Sequence, residues 1–189
     1  MRKFLTLAIA LLSSPCVMQA QMLRKVLPTS AFSAAVCKVI ENFQNNYGSI
    51  QGAPLPPEGD RDIFISTVSV PGASRCVIYR FHSVEDTTAS WQGTLYTGED
   101  FREAAKIYKS TYKHLQQSTF NEAGAQNGLE GEFIQPTESL RFTTSILRPA
   151  KESTIYKNFI AEVEMVNTLD GWTVQLNLHA RKDDDKRYQ

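Results

Sequence analysis

Residues 160–181 carry the clearest hairpin signal in the chain, with the sequence IAEVEMVNTLDGWTVQLNLHAR. Apolar and polar residues alternate on both sides of Asp170-Gly171, a dipeptide typical of two-residue turns. With those two residues as the turn, Met165 lies opposite Leu176, and all the pairs on that face are apolar. The pattern predicts an antiparallel sheet with one packed face and one wet face.

The polar face of this hairpin carries the best candidates for acid–base chemistry. Glu162 and His179 lie directly opposite each other in the predicted register, with Glu164 on the same face. A carboxylate beside an imidazole can act as an acid–base couple, although a structural cross-strand pair is the commoner arrangement. The catalytic residues therefore stay unassigned. The other histidines, His82 and His114, do not lie at metal-ligand spacing, and the sequence predicts neither a metal nor a cofactor.

Further strands are expected in the sequence that precedes this hairpin. Residues 62–83 predict a second hairpin around Gly72-Ala73, which places Phe64 opposite Phe81. Other alternating stretches predict strands at residues 88–96, 139–147 and 153–166.

Two segments without clear periodicity are predicted to be long loops. Residues 48–61 are rich in proline, and residues 118–137 are polar and rich in glycine. Long loops beside a well-specified core are natural places for recognition.

Apolar residues recur at helical spacing in two further segments. The first helix is predicted from residue 29 or 30 to Tyr47, with Gly48 ending it. The second is predicted from an N-cap at Thr97 to about Gln117. Their apolar stripes include Phe32, Val36, Val39 and Phe43 in the first helix, and Phe101, Ala104, Tyr108 and Tyr112 in the second.

Together these elements predict an α+β fold, an antiparallel sheet with two helices packed on one face. Residues 29–96 and 97–180 each read as a helix followed by about three strands, and each third strand carries a tryptophan, Trp91 or Trp172. A tandem duplication of an α-β-β-β unit would produce this likeness, and so would the generic spacing of amphipathic helices. Residues 21–180 are expected to form a single domain, followed by a charged, flexible tail at residues 181–189.

Residues 1–20 have the layout of a secretory signal peptide. Arg2 and Lys3 precede an apolar run, and Ala20 offers a small residue for cleavage. Acylation of Cys16 is the alternative, which the preceding Pro15 disfavours. The run is too short to span a bilayer, and no transmembrane segment is expected after it. A secreted or periplasmic location follows.

Cys37 and Cys76 are the two cysteines that remain after cleavage near Ala20. In an oxidising compartment the default expectation is a disulfide between them. Two buried free thiols are the alternative.

Composition and motifs exclude some classes of function but do not identify the function of the chain. The chain of 189 residues has 20 basic and 20 acidic side chains, a balance that argues against nucleic-acid binding. It contains no nucleotide-binding or nucleophile-elbow motif. We predict a non-enzymatic module that binds an extracytoplasmic protein or envelope component. The alternatives are a small envelope hydrolase using carboxylates or His179, and a carrier whose apolar ligand would contact Tyr112, Val163, Met165 and Leu176.

Overall fold

The computed structural model describes residues 27–81 and 88–181. These ranges contain two helices, α1 (Leu27–Glu41) and α2 (Phe101–Gln116), and two short 3-10 turns, Phe43–Asn45 and Gly48–Ile50. The strands of the same ranges are β1 (Gln51–Glu58), β2 (Arg61–Ser66), β3 (Arg75–Phe81), β4 (Ala89–Gly98), β5 (Thr119–Glu122), β6 (Ala125–Gly131), β7 (Phe142–Pro149), β8 (Phe159–Thr168) and β9 (Gly171–Ala180).

The described strands form one antiparallel sheet in the order β1-β2-β3-β4-β9-β8-β7-β6-β5. This large sheet with two helices confirms the α+β class. The strand that precedes α2, β4, pairs at the centre with β9. Each half of the chain therefore builds its own half of the sheet. In the described ranges, four strands follow α1 and five follow α2, so the prediction of about three strands in each unit is wrong, and the tryptophans lie on the fourth and fifth of them.

One face of the sheet carries the main hydrophobic core, and we call it the core face. Side chains alternate across a strand, and the inward residues of β4, β8 and β9 join the apolar stripes of α1 and α2 in one cluster. Two contacts join α2 to the sheet: the rings of Phe101 and Trp172 lie 5.2 Å apart, and the Tyr108 hydroxyl lies 2.6 Å from Ser145 Oγ. The opposite face, the polar face, carries Gln92, Glu162, Glu164, Gln175, Asn177 and His179.

The hairpin of β8 and β9 has the predicted faces but a register that differs by two residues. Met165 pairs with Val174 rather than Leu176, because the turn residues are Leu169-Asp170 and Thr168 pairs with Gly171. A shift of two keeps every side chain on its own face. The polar face therefore has the expected composition, whereas its directly opposed pairs change.

The hairpin of β2 and β3 differs from the prediction by an odd number of residues. Phe64 pairs with Ile78 rather than Phe81. The connection between the strands is a loop, residues 67–74, that buries Val68 and Val70 in the main core. An odd shift moves the side chains of one strand to the other face. Phe81 therefore does not share a face with Phe64, as the predicted register required, and lies with Tyr79 on the polar face.

Both predicted loops contain strands, so the prediction that these segments are long loops is wrong. Residues 48–61 include β1, an edge strand, and edge strands tolerate proline because their outer N–H groups need no partner. Residues 118–137 include the hairpin of β5 and β6, which turns at Ala123-Gly124 with φ of 51° and 86°. Positive φ at both turn residues suits the twist of a hairpin.

The helices form where predicted, but their ends differ. α1 ends at Glu41, and the left-handed residues beyond it are Asn46 and Tyr47 rather than Gly48. The N-cap of α2 is Asp100 rather than Thr97, because Thr97 still belongs to β4. Asp100 Oδ1 accepts hydrogen bonds from the backbone N–H groups of the first turn, the usual role of an N-cap aspartate.

The predicted disulfide is not formed, and Cys37 and Cys76 are free thiols. Cys37 Sγ donates to the carbonyl oxygen of Thr119 on β5, whereas Cys76 lies on β3 with its Sγ 3.9 Å from Ser69 Oγ. Five strands separate β3 from β5 in the sheet order, so the two thiols contact different parts of the fold. Burial raises the pKa of the Cys37 thiol, which disfavours the reactive thiolate.

Several predictions concern residues outside the described ranges: the signal peptide at residues 1–20 with Cys16, the histidine His82, and residues 182–189 of the tail. Within residues 27–81 and 88–181, neither helix has the length and hydrophobicity needed to cross a membrane.

Candidate functional site

A row of amide side chains runs across the polar face at the centre of the sheet. Gln92 on β4 donates from Nε2 to Gln175 Oε1 at 3.0 Å and to Asn177 Oδ1 at 2.9 Å, both on β9. The Tyr79 hydroxyl on β3 donates to Gln92 Oε1 at 3.3 Å. We call Gln92, Gln175 and Asn177 the amide row. Because each member is held by its neighbours and by a paired strand, the row is fixed in orientation before any ligand arrives.

The row continues into two carboxylates on β8. Asn177 Nδ2 donates to Glu164 Oε2 at 3.4 Å, and the Thr144 hydroxyl on β7 donates to Glu162 Oε1 at 2.8 Å. His179 Nε2 lies 3.3 Å from Glu162 Oε2. Polar contacts therefore link five neighbouring strands, from β3 to β7.

The Glu162–His179 contact exists, but it is diagonal rather than directly opposed. Glu162 pairs with Asn177, and His179 pairs with Ile160. Diagonal neighbours on a sheet lie within reach of long side chains. The sequence therefore predicted the contact between these side chains correctly and their register incorrectly.

Both ring nitrogens of His179 face an oxygen acceptor. Nδ1 lies 3.0 Å from the carbonyl oxygen of Ala180, and Nε2 faces Glu162. The imidazole can donate to both acceptors only as an imidazolium. A general base needs a nitrogen lone pair aimed at the substrate, and both nitrogens of His179 face acceptors of the protein instead, so this geometry disfavours His179 as the base.

The two neighbouring carboxyls have pKa values displaced in opposite directions. The hydrogen bond from His179 holds the pKa of Glu162 below the ordinary value of 4.5, and Thr144 adds to the effect. Burial raises the pKa of Glu164 above 4.5, and the charge of Glu162 raises it further. Ionised Glu162 therefore stabilises the fold above pH 4.5, and this contribution is lost as the pH falls through its lowered pKa. Protonated Glu164 stabilises the fold at low pH, and this contribution is lost as the pH rises through its raised pKa.

Two matched substitutions test the opposite displacements of the pKa values of Glu162 and Glu164. At pH 7 we expect Glu162→Gln to lower the free energy of unfolding, and Glu164→Gln to raise it, each by about 1 kcal/mol at these half-buried positions. Urea unfolding at pH 7 and at pH 3.5 measures both, and both differences should shrink at the lower pH. The same sign for the two variants at pH 7 would contradict the assignment.

A groove of about 410 Å³ opens at one end of the amide row. Its walls include Phe81 from β3, Gln92 from β4, and Asn177 and His179 from β9. A volume of this size falls within the range of small-ligand sites. The groove thus combines an aromatic ring with amides whose positions are already fixed.

Two arginines lie at the rim of this groove. The Arg61 guanidinium lies over the Tyr79 ring, 5.0 Å from its centroid, and 3.7 Å from a carboxylate oxygen of Glu58. Arg181 is exposed, and its backbone N–H donates to the carbonyl oxygen of Asn158. A guanidinium that lies over an aromatic ring can keep its N–H groups available for hydrogen bonds.

Other residues singled out from the sequence lie away from the groove. His114 is half-buried on α2, where its ring centroid lies 5.0 Å from that of Phe32. The described residues contain no group of three or more His, Cys, Asp or Glu side chains that could hold a metal ion. The proposed carrier lining is buried within the packed main core: Tyr112, Val163, Met165 and Leu176.

Sequence reasoning missed most of the residues that form this site, namely Arg61, Tyr79, Phe81, Gln92, Gln175 and Arg181. The alternation in β4 and β9 did contain a signal, because Gln92, Gln175 and Asn177 occupy the polar positions between core residues. Amides at three adjacent positions of one face form a row only when β4 and β9 are neighbours, and that pairing joins residues about 80 positions apart.

The comparisons with known proteins add no functional assignment. No protein-family model matches the chain, no curated protein matches it, and no solved structure matches it.

Proposed function

We propose that this chain is an extracytoplasmic binding module that holds its ligand in the groove at the end of the amide row, without catalysing a reaction. The observation that carries the proposal is the groove itself, a concave site whose polar wall is interlocked with a rigid sheet. Sites built on strands hold their side chains more accurately than sites built on loops. Such preorganisation lowers the entropy lost on binding.

The location outside the cytoplasm rests on the layout of residues 1–20, with cleavage near Ala20. Whether the protein is periplasmic or extracellular depends on the cell envelope that surrounds it. In either case its partner is an extracytoplasmic protein or a component of the envelope.

A second candidate, a small hydrolase, is favoured by one observation. Glu162 and Glu164 share a strand face, with pKa values displaced in opposite directions, which is the pattern of many acid–base pairs. Against it, both ring nitrogens of His179 face acceptors, and neither carboxyl is among the residues that line the groove. The carrier has less support, because the side chains proposed to line its cavity are packed within the core.

The sheet also supports an origin by tandem duplication, with both helices on the core face. The last strand of each half, β4 or β9, lies at the centre of the sheet, and the earlier strands of that half follow outward in reverse chain order. Trp91 pairs with Leu178, six residues after Trp172, and Trp172 pairs with Gly98, seven residues after Trp91. The bulge between Thr94 and Tyr96 accounts for the extra residue, so the two tryptophans lie at positions related by a local two-fold axis. When the two halves are aligned with each other in the sequences of relatives, the position of Trp91 should fall on the position of Trp172. An alignment that offsets these two positions would contradict the duplication.

Mass spectrometry of protein recovered from its own secretory compartment tests the binding function. Under native conditions, we expect a bound mass that Phe81→Ala abolishes and Lys109→Ala, an exposed substitution on α2, retains. A bound mass that survives in both variants would place the ligand elsewhere and contradict the proposal. Loss of the mass in Glu162→Gln, accompanied by accumulation of uncleaved ligand, would favour the hydrolase instead.

A further inference from the structure

We propose, building on the binding function above, that the groove takes an acidic oligosaccharide. The basic residues that the structure describes in its lining are Arg61, His179 and Arg181, and no acidic residue is among the described lining residues. Glu162 contacts His179, Glu58 contacts Arg61 and Glu164 accepts a hydrogen bond from Asn177, so these described contacts involve neighbours other than Arg181. A carboxylate on the ligand would therefore enter a site in which the guanidinium of Arg181 is exposed.

The amide row suits hydroxyl groups. Its hydrogen bonds run in one direction, from the Tyr79 hydroxyl to Gln92, from Gln92 to Asn177, and from Asn177 to Glu164. An amide oxygen accepts two hydrogen bonds and an amide nitrogen donates two. Gln92 Oε1 thus keeps one acceptor position, and Asn177 Nδ2 keeps one donor position, beyond the bonds of the row. A sugar hydroxyl both donates and accepts, so it can use either position.

The aromatic part of the lining suits a sugar ring. Phe81 is half-buried at the end of β3 and lines the same groove as Gln92 and Asn177. The apolar C–H face of a pyranose packs on such a ring while its hydroxyls reach the neighbouring amides. The backbone of an acidic peptide could also use the arginines and the donor and acceptor of the row, but hexaglutamate has no C–H ring face to pack on Phe81. The combination of ring, amides and guanidinium groups favours the oligosaccharide.

Calorimetric titration of the full secreted chain tests the inference. The probes are trigalacturonate, trimannuronate and a hyaluronan tetrasaccharide, with the methyl ester of trigalacturonate as a neutral control and hexaglutamate as an acidic peptide. We expect at least one acidic sugar to bind, and Arg181→Gln to weaken it by about tenfold, the loss of one charged hydrogen bond. Arg102→Gln, an exposed arginine at the start of α2, should leave the affinity unchanged.

The other outcomes overturn the inference. Equal binding of the methyl ester would make the ligand a neutral glycan, binding of hexaglutamate alone would make it an acidic peptide, and binding of no acidic sugar would exclude the class. These results concern only the class of ligand, and each of them is compatible with a native ligand whose binding depends on Phe81. The binding function, by contrast, fails if Phe81→Ala retains the ligand recovered from the compartment.

Discussion

Trp91→Ala is expected to lower the free energy of unfolding by about 3–5 kcal/mol, the usual cost of removing a large buried ring. The Trp91 side chain is fully buried on β4, which lies next to β9 at the centre of the sheet. Its Nε1 donates to Ser66 Oγ at 2.9 Å, and its ring covers Gly93 so closely that an added Cβ there would lie 2.9 Å from it. The substitution therefore empties a volume that local backbone shifts cannot refill. Urea unfolding followed by circular dichroism measures the loss.

Trp91→Phe separates the ring from the indole N–H. Phenylalanine keeps much of the buried area and loses the bond to Ser66, so we expect a smaller loss of about 1–2 kcal/mol. A loss below about 1 kcal/mol for Trp91→Ala would contradict the assignment of this residue to the centre of the core.

Gly131→Ala is expected to have the second largest effect, a loss of about 1–3 kcal/mol from forced overpacking. A Cβ at this position would lie 2.0 Å from the carbonyl oxygen of Ile146 on the neighbouring strand. The same glycine accepts a 2.6 Å hydrogen bond at its carbonyl oxygen from the Tyr112 hydroxyl of α2. Relief of the clash would move β6 away from β7 or from α2, so the strain cannot be relaxed by turning one side chain.

Gly48→Ala is the matched control for that experiment. A Cβ at Gly48 meets nothing within 4 Å, and the residue does not have a positive φ. We expect the thermal midpoint of Gly48→Ala to stay close to that of the wild type, whereas Gly131→Ala should fall by several degrees, about 2–4 °C for each kcal/mol lost. Equal midpoints for the two variants would contradict the close approach of β6 to β7.

The hairpins show which parts of a sheet can be predicted from sequence. Residues 160–181 alternate strictly, so their faces were correct even though the register was two residues off. The faces of the β2–β3 hairpin were predicted incorrectly, because Val68 and Val70 continue the alternation of a strand but lie buried in a loop. Their burial depends on the distant residues that pack around them, which local periodicity does not report.

The candidate site was predicted only in part for the same reason. Glu162 and His179 were found because they lie on adjacent strands joined by a two-residue turn. The amide row depends on the pairing of β4 with β9, and the groove depends on the face that Phe81 occupies. Neither fact follows from the sequence around those residues. The disulfide prediction failed likewise, because it rested on the expectation of an oxidising compartment, whereas the strand order sets the distance between the two thiols.

Hydrogen–deuterium exchange tests the central claim, that the groove at the end of the amide row holds the ligand. The full chain is compared with and without the solute fraction of the extracytoplasmic compartment in which we propose that it resides. We predict slower exchange in peptides from β3 and from the end of β9, around Phe81 and His179, with no change at the exposed residues of α2. Slower exchange confined to α1 and α2, with none at the groove, would contradict the account.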